Sequence, residues 1–293
     1  MRHLLAAAAL AALPFAVQAQ APDIPAAIYT DPAPDKEHPA AMEVVHIPTG
    51  GGEINGVVYV AAGAGPHPAV VLCHGLPGLE KNLDLAQAIR RAGWTVITFN
   101  YRGAWGSPGD YRLAGNLDDT DAVLAFARDP VNAAKLRIDP ARLVVIGHSM
   151  GGWVTALTAA HDKALLGAAM ISSGNMGALA GVPRDQAAAL LRANGLEALA
   201  GTSPEIMADE IIANKERFDF VKAAPRFRDT HLFVLTSDDG FASMSDALSD
   251  ASRAEGGTKL QTLHVATDHS WSDARIRLES AIVRWLATLK PAG

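Results

Sequence analysis

The sequence LVVIGHSMGG occupies residues 143–152. Its first four residues are apolar, which predicts a strand that is buried on both faces, as in a parallel sheet. A helix is predicted directly afterwards, over residues 150–161. The segment between them matches G-x-S-x-G, a pattern that requires a sharp turn from a strand into a helix. Glycines suit such a turn because β-carbons would crowd it, and the turn exposes the hydroxyl of Ser149. A tight glycine-rich turn without catalysis is the alternative.

Strands and helices alternate on both sides of this segment. Continuous apolar runs predict further strands at residues 69–73, 95–99, 167–172, 231–236 and 260–265. Helices are predicted at residues 84–92, 117–128 and 273–289. This repetition predicts a mostly parallel, doubly wound sheet with helices on both faces. Two β-type runs near the N-terminus, 42–47 and 54–60, predict an antiparallel pair at one edge.

The interval between predicted strands 167–172 and 231–236 is far longer than a simple crossover requires. It contains three helical patterns, around residues 185–193, 204–214 and 218–223. We interpret residues 174–229 as a helical cap inserted above the sheet. An ordinary crossover with additional surface helices is the alternative.

The N-terminal residues differ from the rest of the chain. A basic start that includes Arg2 precedes an apolar run, and Ala19 stands where a signal peptidase would cleave. The run is shorter than the roughly 20 residues of a membrane-spanning helix. Residues 1–19 are therefore predicted to be a signal peptide, with an uncleaved anchor as the alternative, and the mature protein to be exported, periplasmic or secreted. Residues 20–41 predict an extended linker, followed by one domain over 42–293.

The composition excludes several classes of function. Hydrophobic residues make up 49% of the chain, charged residues 19%, and the formal net charge is −6. This balance fits a globular domain and provides no basic surface for nucleic acid. No later apolar run is long enough for stable membrane insertion. Cys73 ends an apolar strand, so a buried thiol is expected rather than a catalytic one. No Cys/His set has the spacing of a structural zinc site, and no metal is expected.

Four segments, in order, resemble the α/β-hydrolase superfamily over about residues 42–290. They are HGLPG at 74–78 directly after a strand, the loop over 100–107, the turn at Ser149, and the two loops that follow the last two strands. The resemblance implies an α/β-hydrolase fold with a helical cap. It also implies a catalytic triad in the chain order serine, acid, histidine.

The two loops that follow the last two predicted strands, here called the late loops, carry the candidates for the acid and the histidine. Asp238 and Asp239 follow strand 231–236, and the spacing typical of the family points to Asp239, with Asp238 as its competitor. A tight turn without a catalytic role is the alternative for both, since aspartate before glycine suits one. His269 follows strand 260–265 and resembles the general base of the family. His264 lies inside that strand, and His148 occupies the variable position of the serine motif, so neither is favoured.

The resemblance assigns further roles near Ser149. The backbone N–H groups of Leu76 and Met150 correspond to the two donors of an oxyanion hole. Three aromatic residues on loops, Tyr101, Trp105 and Trp271, are candidate walls of a substrate site, and a packing role is the alternative for Trp105 and Trp271.

The implied activity is hydrolysis of carboxylic esters through an acyl-enzyme on Ser149, without a metal or an organic cofactor. The expected partner is a small-molecule ester or a short peptide. The Gly-Gly pair after Met150 and the loop over 101–111 also resemble catalytic domains of prolyl-oligopeptidase type, so a serine peptidase is an alternative. A non-catalytic binding protein of this fold is a third hypothesis, which the ordered serine, aspartate and histidine disfavour.

Overall fold

A computed structural model describes residues 24–289. The strands in this range are β1 (Ala41–Thr49), β2 (Gly52–Val60), β3 (His67–Cys73), β4 (Thr95–Phe99), β5 (Ile138–His148), β6 (Gly167–Ile171), β7 (Leu232–Ser237) and β8 (Leu260–Val265). They form one sheet in the order β1-β2-β4-β3-β5-β6-β7-β8. The pairs β1–β2 and β2–β4 are antiparallel, and all other neighbours are parallel. The mostly parallel sheet with an antiparallel edge is confirmed.

Most helices of the same range lie where the sequence predicts them. The helices are α1 (Leu83–Arg91), α2 (Leu113–Arg128), α3 (Pro130–Leu136), α4 (Met150–His161), α5 (Arg184–Arg192), α6 (Pro204–Ala213), α7 (Lys215–Phe218), α8 (Ala242–Ala254) and α9 (Arg275–Thr288). Three short 3₁₀ segments, Ala26–Ile28, Met176–Gly181 and Phe220–Phe227, complete the set.

Both faces of the sheet are buried at its central strands. Alternate residues of β3 face opposite sides, because successive side chains of a strand point in opposite directions. Val70 and Leu72 pack in a core with residues of α1 and α9. Val71 and Cys73 pack in a second core that includes residues of α2, α4 and the segment between β6 and β7. Helices therefore cover the sheet on both sides, as the doubly wound arrangement requires.

α2 begins at Leu113, earlier than the predicted start at residue 117. The first N–H groups of a helix lack intrahelical acceptors. Here the carboxylate of Glu210, on α6, accepts hydrogen bonds from the backbone N–H groups of Leu113 (2.9 Å) and Ala114 (2.7 Å). A distant side chain thus caps the helix and extends it beyond the local pattern.

Two helices, α3 and α8, were not predicted from the sequence. α8 is buried mainly through serines: Ser245, Ser249 and Ser252 are covered together with Leu248. A search for apolar periodicity therefore detects little of its buried face. α3 is short, but Asp129 caps it with its carboxylate and Pro130 opens it, which are recognisable starting signals.

The segment between β6 and β7 contains α5, α6, α7 and two of the 3₁₀ segments. It is attached to the loop after β4, since the N–H of Ala200 donates to the carbonyl of Gly103 (2.7 Å) and that of Tyr111 to the carbonyl of Ala200 (2.9 Å). It also packs on α4, where Trp153 Nε1–H donates to the carbonyl of Phe218 (2.7 Å). The division of the chain into linker, main domain and cap at the stated boundaries remains a prediction.

The predicted signal peptide, residues 1–19, lies outside the described residues. The described part of the predicted linker packs on α1, where Arg91 Nε–H donates to the carbonyl of Ala27 (2.6 Å). Between residues 24 and 289, no helix has the length and apolar character to cross a membrane.

Candidate active site

Ser149 stands at the turn between β5 and α4. Its φ of 58° and ψ of −122° are unusual for a residue with a β-carbon and cost of order 1–3 kcal/mol. Two glycines make the turn possible. A β-carbon at Gly147 would lie 2.0 Å from the carbonyl oxygen of Gly151, and one at Gly151 would lie 2.2 Å from that of Cys73. The close approach of strand and helix thus requires glycine at both positions and holds Ser149 in its strained conformation.

His269 and Asp239 form a hydrogen-bonded pair at the same edge of the sheet. His269 Nδ1–H donates to Asp239 Oδ2 over 2.7 Å. The Asp239 side chain is only 1% exposed, whereas that of His269 is 34% exposed. Burial disfavours the Asp239 carboxylate, but hydrogen bonds from His269 and the backbone N–H of Phe241 outweigh it and lower the pKa of Asp239. The carboxylate acceptor places the proton of a neutral His269 on Nδ1 and leaves Nε2 without one.

Asp238 has different partners from Asp239. Its carboxylate is 64% exposed and accepts a hydrogen bond from His264 Nε2 over 3.1 Å. His264 also contacts the hydroxyl of Thr236, at 2.9 Å. Of the two candidate acids, Asp239 is therefore the one that the structure places on His269.

The loop that carries His269 is attached to three neighbouring strands. At the end of β7, the N–H of Asp238 donates to the carbonyl of Thr267 (3.0 Å). After β6, Ser172 Oγ accepts from Trp271 Nε1–H (2.9 Å). At the end of β5, His148 Nε2–H donates to the carbonyl of His269 (2.8 Å). Because His148 immediately precedes Ser149, this last bond joins the main chain of His269 to the turn that carries the serine.

The loop after β3 passes directly beside Ser149. A β-carbon at Gly75 would lie 3.0 Å from Ser149 Cβ and 3.5 Å from Ser149 Oγ. Leu76, the next residue, belongs to this loop. Met150 is the first residue of α4, where a backbone N–H has no intrahelical acceptor and the helix dipole favours negative charge. Met150 thus adjoins the serine and Leu76 follows a residue that lies against it, and their role as oxyanion donors remains a prediction.

The structure corrects two of the three predicted substrate-contact residues. Tyr101 is fully buried, its hydroxyl donates to the carbonyl of His74 (3.4 Å), and its ring packs on the imidazole of His74. Trp271 is also fully buried and lies in the core with α9. Burying their large apolar rings stabilises the fold, so both residues support loops from beneath rather than lining a cleft.

Trp105, the third of these residues, is partly exposed. Its indole Nε1–H donates to the carbonyl of Pro77 over 2.7 Å, and the Lys81 ammonium lies 4.7 Å from the centre of its ring. Its backbone N–H donates to the carbonyl of Ala198, between α5 and α6 (3.2 Å). Trp105 therefore braces the loop that contains Leu76, and a substrate contact remains a prediction.

Two residues at the site were not selected from the sequence. His148 was set aside because it occupies the variable position of the serine motif. Phe241 packs its ring against the imidazole of His269, with centroids 5.2 Å apart. The sequence position of His148, directly before Ser149, could have indicated a role at the site. Nothing in the sequence around Phe241 distinguishes it.

Cys73 is buried, and burial raises the pKa of its thiol to about 12. It therefore stays a protonated thiol rather than a nucleophile. In the described part of the chain, no group of three or more His, Cys, Asp or Glu side chains is arranged to hold a metal ion.

Comparison with known proteins identifies the family. The profile of the α/β hydrolase fold matches residues 68–271, which include the serine turn and both late loops. The chain belongs to the α/β hydrolase fold family.

Two curated relatives are similar to parts of the chain. The quorum-quenching protein AidA of Acinetobacter baumannii is 36% identical over 111 residues, which are 36% of this chain and 34% of AidA. The esterase EstD of Thermotoga maritima is 28% identical over 145 residues, which are 45% of this chain and 32% of EstD. The chain thus matches only about a third of the length of these relatives.

A solved structure supports the fold over a larger share of the chain. EstE1, a thermostable carboxylesterase cloned from a metagenomic library, superimposes with a TM-score of 0.62 at 22% sequence identity. The superposition covers 87% of this chain and 91% of EstE1.

Proposed function

We propose that the protein is a serine hydrolase that cleaves carboxylic esters through an acyl-enzyme on Ser149. The observation that carries the proposal is the hydrogen-bonded pair of a buried Asp239 carboxylate and a partly exposed His269, held beside the strained turn at Ser149. An activated serine needs a neighbouring base that a third group orients, and these residues can supply both. The partial similarity to EstD supports an ester as the substrate.

Acylation begins with attack of Ser149 Oγ on the ester carbonyl carbon, while His269 Nε2 takes the hydroxyl proton. The buried Asp239 carboxylate keeps the imidazole in the Nδ1–H tautomer and stabilises the imidazolium. The N–H groups of Leu76 and Met150 donate to the oxyanion of the tetrahedral intermediate. The C–O bond to the alcohol then breaks, and the alcohol leaves with the proton from His269.

Deacylation repeats these steps with water. His269 removes a proton from a water molecule, whose oxygen attacks the acyl carbon, and Ser149 Oγ leaves with the proton that His269 returns. The products are a carboxylic acid and the free enzyme. Each proton is passed through the imidazole of His269, so Ser149, His269 and Asp239 with the two N–H donors suffice for the cycle.

The proposal is tested by a panel of p-nitrophenyl esters of short and long acyl chains, beside proline-containing dipeptide amides. We expect turnover of esters, and loss of that turnover in Ser149→Ala with the melting temperature retained. Faster cleavage of the amides than of the esters would instead support a peptidase. No turnover of either class, together with no covalent labelling by a fluorophosphonate, would support a non-catalytic binding protein.

Export of the mature protein is a separate proposal, based on the N-terminal sequence alone. Expression of the full chain in a bacterium, followed by N-terminal sequencing of the protein in the periplasm and the medium, tests it. We expect a new N-terminus at Gln20.

A further inference from the structure

β8, which precedes the loop of His269, is the edge strand of the sheet, and Ser149 follows β5. Three strand spacings separate β8 from β5, a distance of roughly 14 Å because neighbouring strands lie about 4.8 Å apart. The loop must therefore fold back across β7 and β6 before its histidine can reach the serine. The bonds to Thr267 and Trp271 hold the loop at β7 and β6, which leaves its position over β5 to be fixed by another contact.

His148 supplies that contact. Its Nε2–H donates to the main-chain carbonyl of His269 over 2.8 Å, and the two imidazole rings pack with centroids 4.7 Å apart. One residue is thus bonded covalently to Ser149 and hydrogen-bonded to the main chain of His269. The separation of nucleophile and base depends on this connection as well as on the bond of His269 to Asp239.

We propose that His148 is a positioning residue, whose Nε2–H holds the main chain of His269 where its imidazole can take the proton of Ser149. This proposal rests on the proposed function for its kinetic consequence, but not for its structural one. The proposal gives a chemical reason for a histidine at the variable position of the G-x-S-x-G motif. The side chain at this position must carry a hydrogen-bond donor as far from its backbone as the Nε2–H of histidine.

The surroundings of His148 suit that task. Its side chain is buried, and burial lowers the pKa of His148 to about 4, so the ring is neutral near pH 7. A neutral imidazole carries one N–H, and the carbonyl partner requires it on Nε2. His148 Nδ1 is then an acceptor, and it has no hydrogen-bond partner among the described residues. An uncharged neighbour also avoids repelling the imidazolium that forms on His269 during catalysis.

The test separates the donor from the bulk of the ring. In His148→Gln the terminal amide can replace the Nε2–H donor, whereas His148→Phe keeps an aromatic ring without a donor. His264→Phe is the matched control, because His264 lies on β8 near the same loop but contacts Thr236 and Asp238. For each variant we would measure kcat and KM for p-nitrophenyl acetate, and the dependence of kcat on pH. We would also measure the melting temperature and the hydrogen exchange of the peptide over residues 266–271.

We expect His148→Phe to lower kcat roughly 10- to 100-fold, the loss that misplacement by about 1 Å produces. KM and the midpoint of the acid limb of the pH profile should stay unchanged, since Asp239 still pairs with His269. Exchange over residues 266–271 should accelerate. In His148→Gln, both kcat and the exchange rate over residues 266–271 should be close to those of the natural protein. In His264→Phe, neither kcat nor the exchange rate should change.

A folded His148→Phe enzyme with unchanged kcat and unchanged exchange would overturn the proposal, and so would a His148→Gln variant as impaired as His148→Phe. If His148→Phe does not fold, His148→Asn replaces it, because its amide is too short to reach the carbonyl. If the natural enzyme shows neither ester turnover nor labelling of Ser149, the proposed function fails, and the exchange measurement still decides whether His148 holds the loop.

Discussion

The Nδ1 of His269 lies 2.7 Å from Oδ2 of Asp239, whose side chain is almost completely covered, while the adjacent Asp238 is exposed and bonded to His264. Two neighbouring carboxylates thus differ in burial and in partner. Because a buried carboxylate that orients an imidazole also stabilises its charged form, only one of the two is suited to support proton transfer.

This difference predicts unequal effects of the same substitution at the two positions. We expect Asp239→Asn to lower kcat for p-nitrophenyl acetate by about 10³- to 10⁴-fold, because the amide cannot hold the required tautomer of His269. Asp238→Asn, its matched control, should change kcat less than about threefold, because the Asp238 carboxylate is exposed and contacts His264 rather than His269. Equal losses in the two variants would contradict the assignment of the acid.

The strained backbone of Ser149 predicts a gain of stability when its β-carbon is removed. Ser149→Gly and Ser149→Ala both lack the hydroxyl and should both be inactive, so their comparison isolates the backbone. We expect Ser149→Gly to have a free energy of unfolding about 1 kcal/mol higher, because glycine adopts positive φ without strain. Urea denaturation of both variants measures this difference, and a less stable glycine variant would show that the turn is unstrained.

The close contact of Gly75 with Ser149 predicts sensitivity to a single methyl group. A β-carbon at Gly75 would lie 3.0 Å from Ser149 Cβ and 3.2 Å from the carbonyl oxygen of His148, so the loop or the serine must shift. We expect Gly75→Ala to lower kcat by roughly tenfold. Gly181→Ala is the control, because a β-carbon there meets no atom within 4 Å. Full activity of Gly75→Ala would show that the loop adapts.

The buried position of Glu279 predicts that part of the free energy of unfolding depends on pH. Burial, followed by repulsion from Asp84, raises the pKa of Glu279 from its ordinary 4.5 to about 7. The positive charges of Arg275 and Arg91 lower the pKa of Glu279 but offset this increase only in part. Arg275 also pairs with Asp84 at 2.6 Å. The folded state therefore favours the protonated acid, and its stabilisation is complete below pH 4.5, declines as the pH rises toward 7, and is lost above that.

Melting temperatures between pH 4.5 and 8 test this expectation. Glu279→Gln, which stays neutral, should melt higher than the natural protein at pH 8 but not at pH 4.5. Glu255→Gln, at an exposed glutamate after α8, serves as the control and should show no such difference. A constant offset of Glu279→Gln across the pH range would contradict the raised pKa.

The strands could be predicted from sequence because they depend on local patterns, whereas the proposed triad order is what the resemblance to the α/β-hydrolase superfamily implies. Buried strands appear as apolar runs, and each triad candidate follows one of them directly. Features that depend on distant partners could not be predicted in this way. Glu210 extends α2 from another helix, serines bury α8, and the bond from His148 reaches a residue 121 positions away.

The two aromatic residues whose predicted substrate contact the structure corrects are buried for the same physical reason. Tyr101 and Trp271 stand on loops, where exposure is the ordinary expectation. Their hydroxyl and indole N–H groups find acceptors on neighbouring segments, the carbonyl of His74 and the hydroxyl of Ser172. Paired polar atoms allow the rings to be buried completely, and no local pattern reports such pairing.

Trapping of the acyl-enzyme tests the central claim most directly. The protein would be mixed with a p-nitrophenyl ester, quenched in acid during the first turnover, and digested for peptide mapping by mass spectrometry. We predict one acyl group, on the peptide that contains Ser149, formed with a burst of about one p-nitrophenol per protein molecule and absent from Ser149→Ala. Ester turnover without acylated Ser149, or with the acyl group on another residue, would contradict the account.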